Sequence, residues 1–172
     1  YDILIPMLKS IIKMQLQNNA EIVYVFDTNA RQLENNYFIQ KYIEELKKNI
    51  FSEFPGQIAY FCKENPLLEK PDSNLNLNLA GMVYGKNEGL ENLLPNINSS
   101  FIQGNFDPLF LLKSEDQFKL ELDKFIQKFS RLSADERSGW VCSLSHGVLP
   151  KSKEDNVKHF ISEVRSVFSE ID

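Results

Sequence analysis

Two histidines, His146 and His159, two cysteines, Cys62 and Cys142, and four polar clusters that close apolar runs are the residues best equipped for chemistry. The clusters are Asp27-Thr28-Asn29, Lys63-Glu64, Gly104-Asn105-Phe106-Asp107-Pro108 and Ser145-His146-Gly147. His146 is the sharpest of these. It follows the apolar run Trp140 to Leu144 and precedes Gly147 and Pro150, which mark a turn. An imidazole there can hold a carboxylate as a cation, or donate a hydrogen bond when neutral. It can equally cap local carbonyls. Asp27 and Thr28 read as ligand contacts or as caps of the next segment. Gly104 to Pro108 reads as a rigid turn whose Asp makes an Asx turn. His159 falls inside a helical pattern and reads as structural. Cys62 reads as a core residue pointing into the sheet. The sequence carries no G-x-G-x-x-G, P-loop, H-E-x-x-H or G-x-S-x-G, which disfavours nucleotide chemistry and the common hydrolases. Two histidines are too few for a multi-histidine metal site.

Polar clusters behind apolar runs gain meaning from the elements that carry them. Helical spacing of Leu4, Leu8, Ile11, Ile12 and Leu16 predicts an amphipathic helix over 3–17. Short apolar, β-branched and aromatic runs predict strands at 21–26, 58–62, 79–84, 100–103 and 140–144. Between them, 27–36 reads as a loop and 37–54 as a helix, with Ile39, Ile43, Leu46 and Ile50 inward. Residues 64–78 read as a short irregular helix or loop, and 90–94 as a helical turn. Ser114 with Gln117 suggests a capping box opening a helix that buries Phe118, Leu122, Phe125, Ile126 and Phe129. The polar stretch 131–139 reads as a connection. A last helix from near Ser152 is expected to bury Val157, Phe160, Ile161, Val164 and Phe168. Strands separated by helices imply parallel pairing and right-handed crossovers. In such folds the chemistry lies just beyond the carboxyl ends of the strands, where the four clusters fall. Periodicity alone leaves a small open sheet and an arc of a larger barrel equally open.

The chain has 172 residues, enough for one compact domain but short of the ~250 typical of an eight-fold barrel. A formal net charge of −5 argues against nucleic acid as a partner, although a cleft can still be locally positive. Two distant cysteines outside any C-x-x-C pattern fit a reduced, cytoplasmic setting. No apolar run approaches the ~20 residues of a membrane span. The opening does not read as a signal peptide. It reads as a helix entered mid-protein, and with no initiator Met the chain is expected to be a fragment or a processed form.

Four motifs in chain order carry a resemblance: FDTNA after the first strand, IAYFCK, IQGNFDP, and SLSHGVLP followed by NVKHFISEVR. Together they resemble the second half of the uroporphyrinogen decarboxylase family, from about residue 1 to the end. The resemblance implies that residues 1–172 form a single partial domain, the C-terminal half of a (β/α)8 TIM barrel, α/β with parallel strands and outer helices. It implies decarboxylation of the acetate side chains of uroporphyrinogen to coproporphyrinogen, in haem biosynthesis, with no metal and no organic cofactor. It places His146 at the family's substrate-contacting histidine and Thr28 at a serine that contacts a substrate carboxylate. It leaves no catalytic residue in this half, and makes a porphyrinogen and a second copy the expected partners.

The chain departs from the family pattern at three places. Thr28 replaces the usual serine, Ser145 the first glycine of G-H-G, and Val83 an acidic residue at the third strand's end. These departures favour a competing reading, a degenerate non-catalytic paralogue. A second competitor is a zinc-dependent corrinoid methyltransferase of the same fold. There a His-x-Cys pair holds zinc where this chain has Tyr60-Phe61-Cys62, and tyrosine is a poor substitute. Thr28 and His146 are expected on one rim. Uncovered strand edges and an uncovered inner face are expected to make the chain associate.

Overall fold

The computed structural model describes residues 2–63, 67, 77–96 and 100–169. The chain divides into two compact units, Tyr1–Gly85 and Lys86–Asp172.

The first unit starts with helix α1 (Leu4–Gln17) and strand β1 (Val23–Phe26). A 3-10 turn (Thr28–Gln32) follows, then a helical segment made of α2 (Asn35–Tyr37), a π turn (Phe38–Tyr42) and α3 (Ile43–Asn49). Strand β2 (Ile58–Phe61) pairs in parallel with β1 on one side and with β3 (Gly81–Val83) on the other. Ile12, Ile43, Leu46 and Ile50 pack with Val23, Ile58, Tyr60 and Cys62 in one core cluster. That sets the alternation of the strands: Val23, Ile58 and Tyr60 face the helices, whereas Phe26 is 71% exposed. Only part of the expected α1 face is covered, since Ile12 is buried but Leu4 and Ile11 are exposed. Helix 37–54 begins two residues early because the Glu34 carboxylate accepts the Asn36 and Tyr37 amides, 3.1 Å each. Of residues 64–78, only Leu67, Leu77 and Asn78 fall within the described residues, so the irregular reading of that segment lies outside them.

The second unit contains α4 (Leu90–Leu93), β4 (Phe101–Phe106), a 3-10 turn (Pro108–Leu112) and α5 (Glu115–Phe129). Then come α6 (Ala134–Arg137), β5 (Trp140–Leu144) and α7 (Glu154–Phe168). Strands β4 and β5 are parallel, with Ile102 opposite Trp140 and Phe106 opposite Leu144. Phe106 centres an aromatic core, 5.1 Å from the ring of Phe125 and 4.9 Å from that of Phe160. This corrects one expectation. The strand runs through Gly104 to Phe106, because the Phe106 side chain is worth more buried than in a turn. Gly104 has φ 149°, a backbone that L side chains rarely adopt.

Three further expectations fail. Ser114 precedes α5 but makes no side-chain cap, while the capping box forms at Ser133 and Glu136 and starts α6 inside the supposed connection. Ile126 is only half-buried. Ile161 is 43% exposed, and the buried positions of α7 are Asn156 and Phe160. Both units are parallel α/β, as the strand and helix alternation requires. Among the described residues no helix is long and apolar enough to cross a membrane.

Candidate functional site

Parallel pairing brings the carboxyl ends of neighbouring strands to one edge within each unit. In the first unit the Asp27 amide donates to Phe61 O at 2.8 Å, which seats the end of β1 against the end of β2. One oxygen of the Asp27 carboxylate is engaged. Its Oδ2 accepts the Tyr42 hydroxyl at 2.6 Å and the Tyr60 hydroxyl at 2.9 Å. Burial, and then the charge of Asp27, push the Tyr60 phenol well above its ordinary value. The Asp27 side chain thus makes no cap bond to the turn that follows it, and its Oδ2 is held by two tyrosines. It locks the turn in which Thr28 is the next residue. Thr28 begins the 3-10 turn, with its side chain exposed.

In the second unit the Ser145 amide donates to Phe106 O at 2.9 Å, so the loop after β5 lies beside the loop after β4. In that neighbouring loop Asp107 Oδ1 accepts the Leu109 amide at 2.9 Å, the Asx turn expected of it. Lys153 N donates to Leu111 O, and buried Asn156 donates from Nδ2 to Leu111 O and Lys113 O, 3.1 Å each. These bonds close the segment 145–153 at both ends and leave His146 exposed on it. The His146 ring places Nδ1 3.1 Å from Gly147 O. A carbonyl only accepts, so Nδ1 carries the proton and Nε2 is the nitrogen left for a ligand. Ser145 beside it is fully buried, and its hydroxyl has no hydrogen-bond partner among the described residues.

His159 is half-buried in α7, its ring 5.9 Å from that of Phe118 in an edge contact. Cys62 is fully buried in the core cluster, as expected. Val83 ends β3 as a buried side chain. Among the described residues no three His, Cys, Asp or Glu side chains gather closely enough to hold a metal ion.

The family model of uroporphyrinogen decarboxylase (URO-D) matches residues 1–167. The chain belongs to the uroporphyrinogen decarboxylase family. It is 28% identical over 159 residues to the uroporphyrinogen decarboxylase of Chlorobium phaeobacteroides, covering 90% of this chain and 44% of that protein. It is 24% identical over 165 residues to that of Picrophilus torridus, with 96% and 47% covered. The Rickettsia bellii enzyme is 27% identical over 167 residues, with 88% and 44% covered. The chain therefore spans less than half the length of these relatives. The uroporphyrinogen decarboxylase family is one of TIM barrels, and two runs of parallel strands with crossover helices are what part of such a barrel supplies.

Sequence reasoning missed two positioning groups. Tyr42 reaches Asp27 from the π turn, and a tyrosine inside a helical pattern gives no sign of that. Asn156 is the better-signalled omission. It is a polar residue on the inward stripe of α7 beside Phe160, and an inward amide must find partners.

Proposed function

We propose that this chain supplies the Thr28 and His146 part of the substrate site of a uroporphyrinogen decarboxylase. The activity is removal of acetate carboxylates from uroporphyrinogen, without metal or organic cofactor. The single observation that carries this reading is His146. It stands exposed after the carboxyl end of a strand, on a segment tied at both ends, with Nδ1 committed to Gly147 O.

That commitment has a chemical consequence. Nε2 is the ring nitrogen left to meet a substrate carboxylate. A charge-assisted hydrogen bond of this type is among the stronger contacts available to a polycarboxylate. Thr28 keeps the hydroxyl of the family's serine and donates from the turn locked by Asp27. Neither residue delivers the proton or stabilises the pyrrole. Those duties fall to groups outside this chain, so the complete site needs the remainder of a barrel. A second copy of the protein is the proposed assembly partner, and the cytoplasm the proposed compartment.

The test is anaerobic turnover of uroporphyrinogen by a protein that joins this chain to the rest of its barrel. His146→Ala should lower turnover roughly 10- to 150-fold, the loss of one charge-assisted contact. His159→Ala, packed on Phe118, should change it little. Equal effects of the two substitutions would remove His146 from the site. A joined protein that leaves uroporphyrinogen untouched would make the chain a non-catalytic relative, the reading that Ser145 and Val83 favour.

A further inference from the structure

We propose that a cavity at the amino end of β5 is a second binding site, one that takes a small carboxylate with an apolar body about one ring in size. The cavity has a volume of about 300 Å³ and is lined by Arg137, Trp140, Cys142, Val164, Arg165 and Phe168. Trp140 opens β5 and His146 follows the strand's other end, so the cavity is separate from the strand-end loop.

Two guanidiniums share this wall, and no carboxylate is among the described residues that line it. Like charges placed together are unfavourable, and a bound anion relieves them. Arg137 is fixed in place. Its Nη1 donates to Phe129 O at 3.2 Å and Leu132 O at 2.9 Å, and the guanidinium lies 5.0 Å from the Phe168 ring centre. Phe129 closes α5 and Leu132 lies just beyond it, so the guanidinium sits by the carboxyl end of that helix, where a cation opposes the helix dipole. Among the described residues both side-chain hydrogen bonds of Arg137 are made by Nη1, and neither uses Nε or Nη2. Arg165 stands exposed in the last turn of α7.

Apart from Ser169, the rest of the wall is apolar side chains, with two of its rings in ordered contact. The Trp140 indole stacks on Phe129 with centroids 4.0 Å apart, and its Nε1 is spent on Gly104 O at 2.7 Å. Phe168 meets the same indole edge-on at 5.3 Å. Burial pushes the Cys142 thiol up to about 12, so it stays neutral and adds no charge that competes with an anion. Inorganic phosphate would satisfy the guanidiniums but leave the aromatic wall wet. A neutral ring would fill the wall but leave the cations unanswered. A planar carboxylate on a ring meets both, and an apolar cavity of about 150 Å³ already accepts benzene.

Trp140 is the single tryptophan of the chain, so its fluorescence reads the cavity directly. Titration with benzoate should give a saturable change in emission. Acetate, benzyl alcohol and inorganic phosphate each lack part of the recognised chemistry and should bind roughly tenfold more weakly or worse. Arg165→Met should weaken benzoate by a similar factor, and Arg165→Lys should restore part of the loss. The proposal is overturned by no saturable change with benzoate, by equal binding of benzoate and benzyl alcohol, or by an unchanged midpoint in Arg165→Met. If that variant does not fold, the comparison of the four probes on the parent chain decides.

Discussion

Individual side chains here divide into those that meet a ligand and those that hold them in place. Asp27 belongs to the second group. One carboxylate oxygen accepts two tyrosine hydroxyls from separate elements, so its removal strands two donors at once. Asp27→Ala should lower unfolding free energy by about 2–3 kcal/mol in urea titration, with Asp27→Asn closer to 1. A cost below that of Tyr42→Phe alone would show that the hydroxyls find other acceptors. Tyr60 adds a pH signature. Its phenol is raised in the folded state, whereas the unfolded chain releases the proton near pH 10. The unfolded state therefore binds fewer protons above that pH. Stability should be intact below about pH 10 and fall as pH rises beyond it. Tyr60→Phe should flatten that alkaline fall in urea midpoints taken across the range. An unchanged slope would assign the fall to other groups.

Whole elements show where local chemistry starts and stops a helix. Ser133 and Glu136 close a full capping box on α6, with Ser133 Oγ accepting the Glu136 amide at 3.3 Å and Glu136 Oε2 accepting the Ser133 amide at 2.7 Å. Ser114 occupies the same position before α5 without a side-chain bond. Ser133→Ala should therefore cost about 0.5–2 kcal/mol in thermal or urea unfolding, and Ser114→Ala only a few tenths. The reverse order would sink the assignment. In the first turn of α7, Asn156 donates from Nδ2 to Leu111 O and Lys113 O and so ties the helix to the turn after β4. Its loss should loosen the segment that carries His146 as well as destabilise the unit.

Across the whole molecule, burial is uneven. Each strand turns one face to its helices, and Phe106, Ile58 and Tyr60 are fully covered there. On the opposite face coverage is mixed, with Ala59, Phe61 and Asn105 buried but the end of β1 open. Phe26 is 71% exposed, with Tyr24 stacked on it at 6.0 Å and Phe61 at 5.7 Å. Exposed aromatic clusters favour association. Light scattering of this chain should show mass rising with concentration, and Phe26→Ser should reduce the rise. A clean monomer at high concentration would mean that this face is satisfied as it stands.

Strand and helix alternation, the parallel pairing it demands, and the four motifs that place the chain in its family were all legible in the sequence. They depend on local periodicity and on residue types at short spacing. β5 was bounded correctly at both ends because Trp140 to Leu144 stands between polar neighbours. The role of Asp107 was legible for the same reason, since an Asx turn is a local bond. What depended on distant partners was not. Phe106 joins β4 because rings from α5 and α7 close over it, and Ser114 loses the cap because nothing in four residues dictates which hydroxyl will bond. Asp27 read as a ligand contact or a cap, and the two tyrosines that donate to its Oδ2 come from remote positions in the chain. Which nitrogen of His146 faces outward, and which cations share a cavity with Trp140, were decided only by tertiary structure. Hydrogen bonds and charge pairs between remote residues act over a few ångströms in space, and sequence spacing does not record that distance.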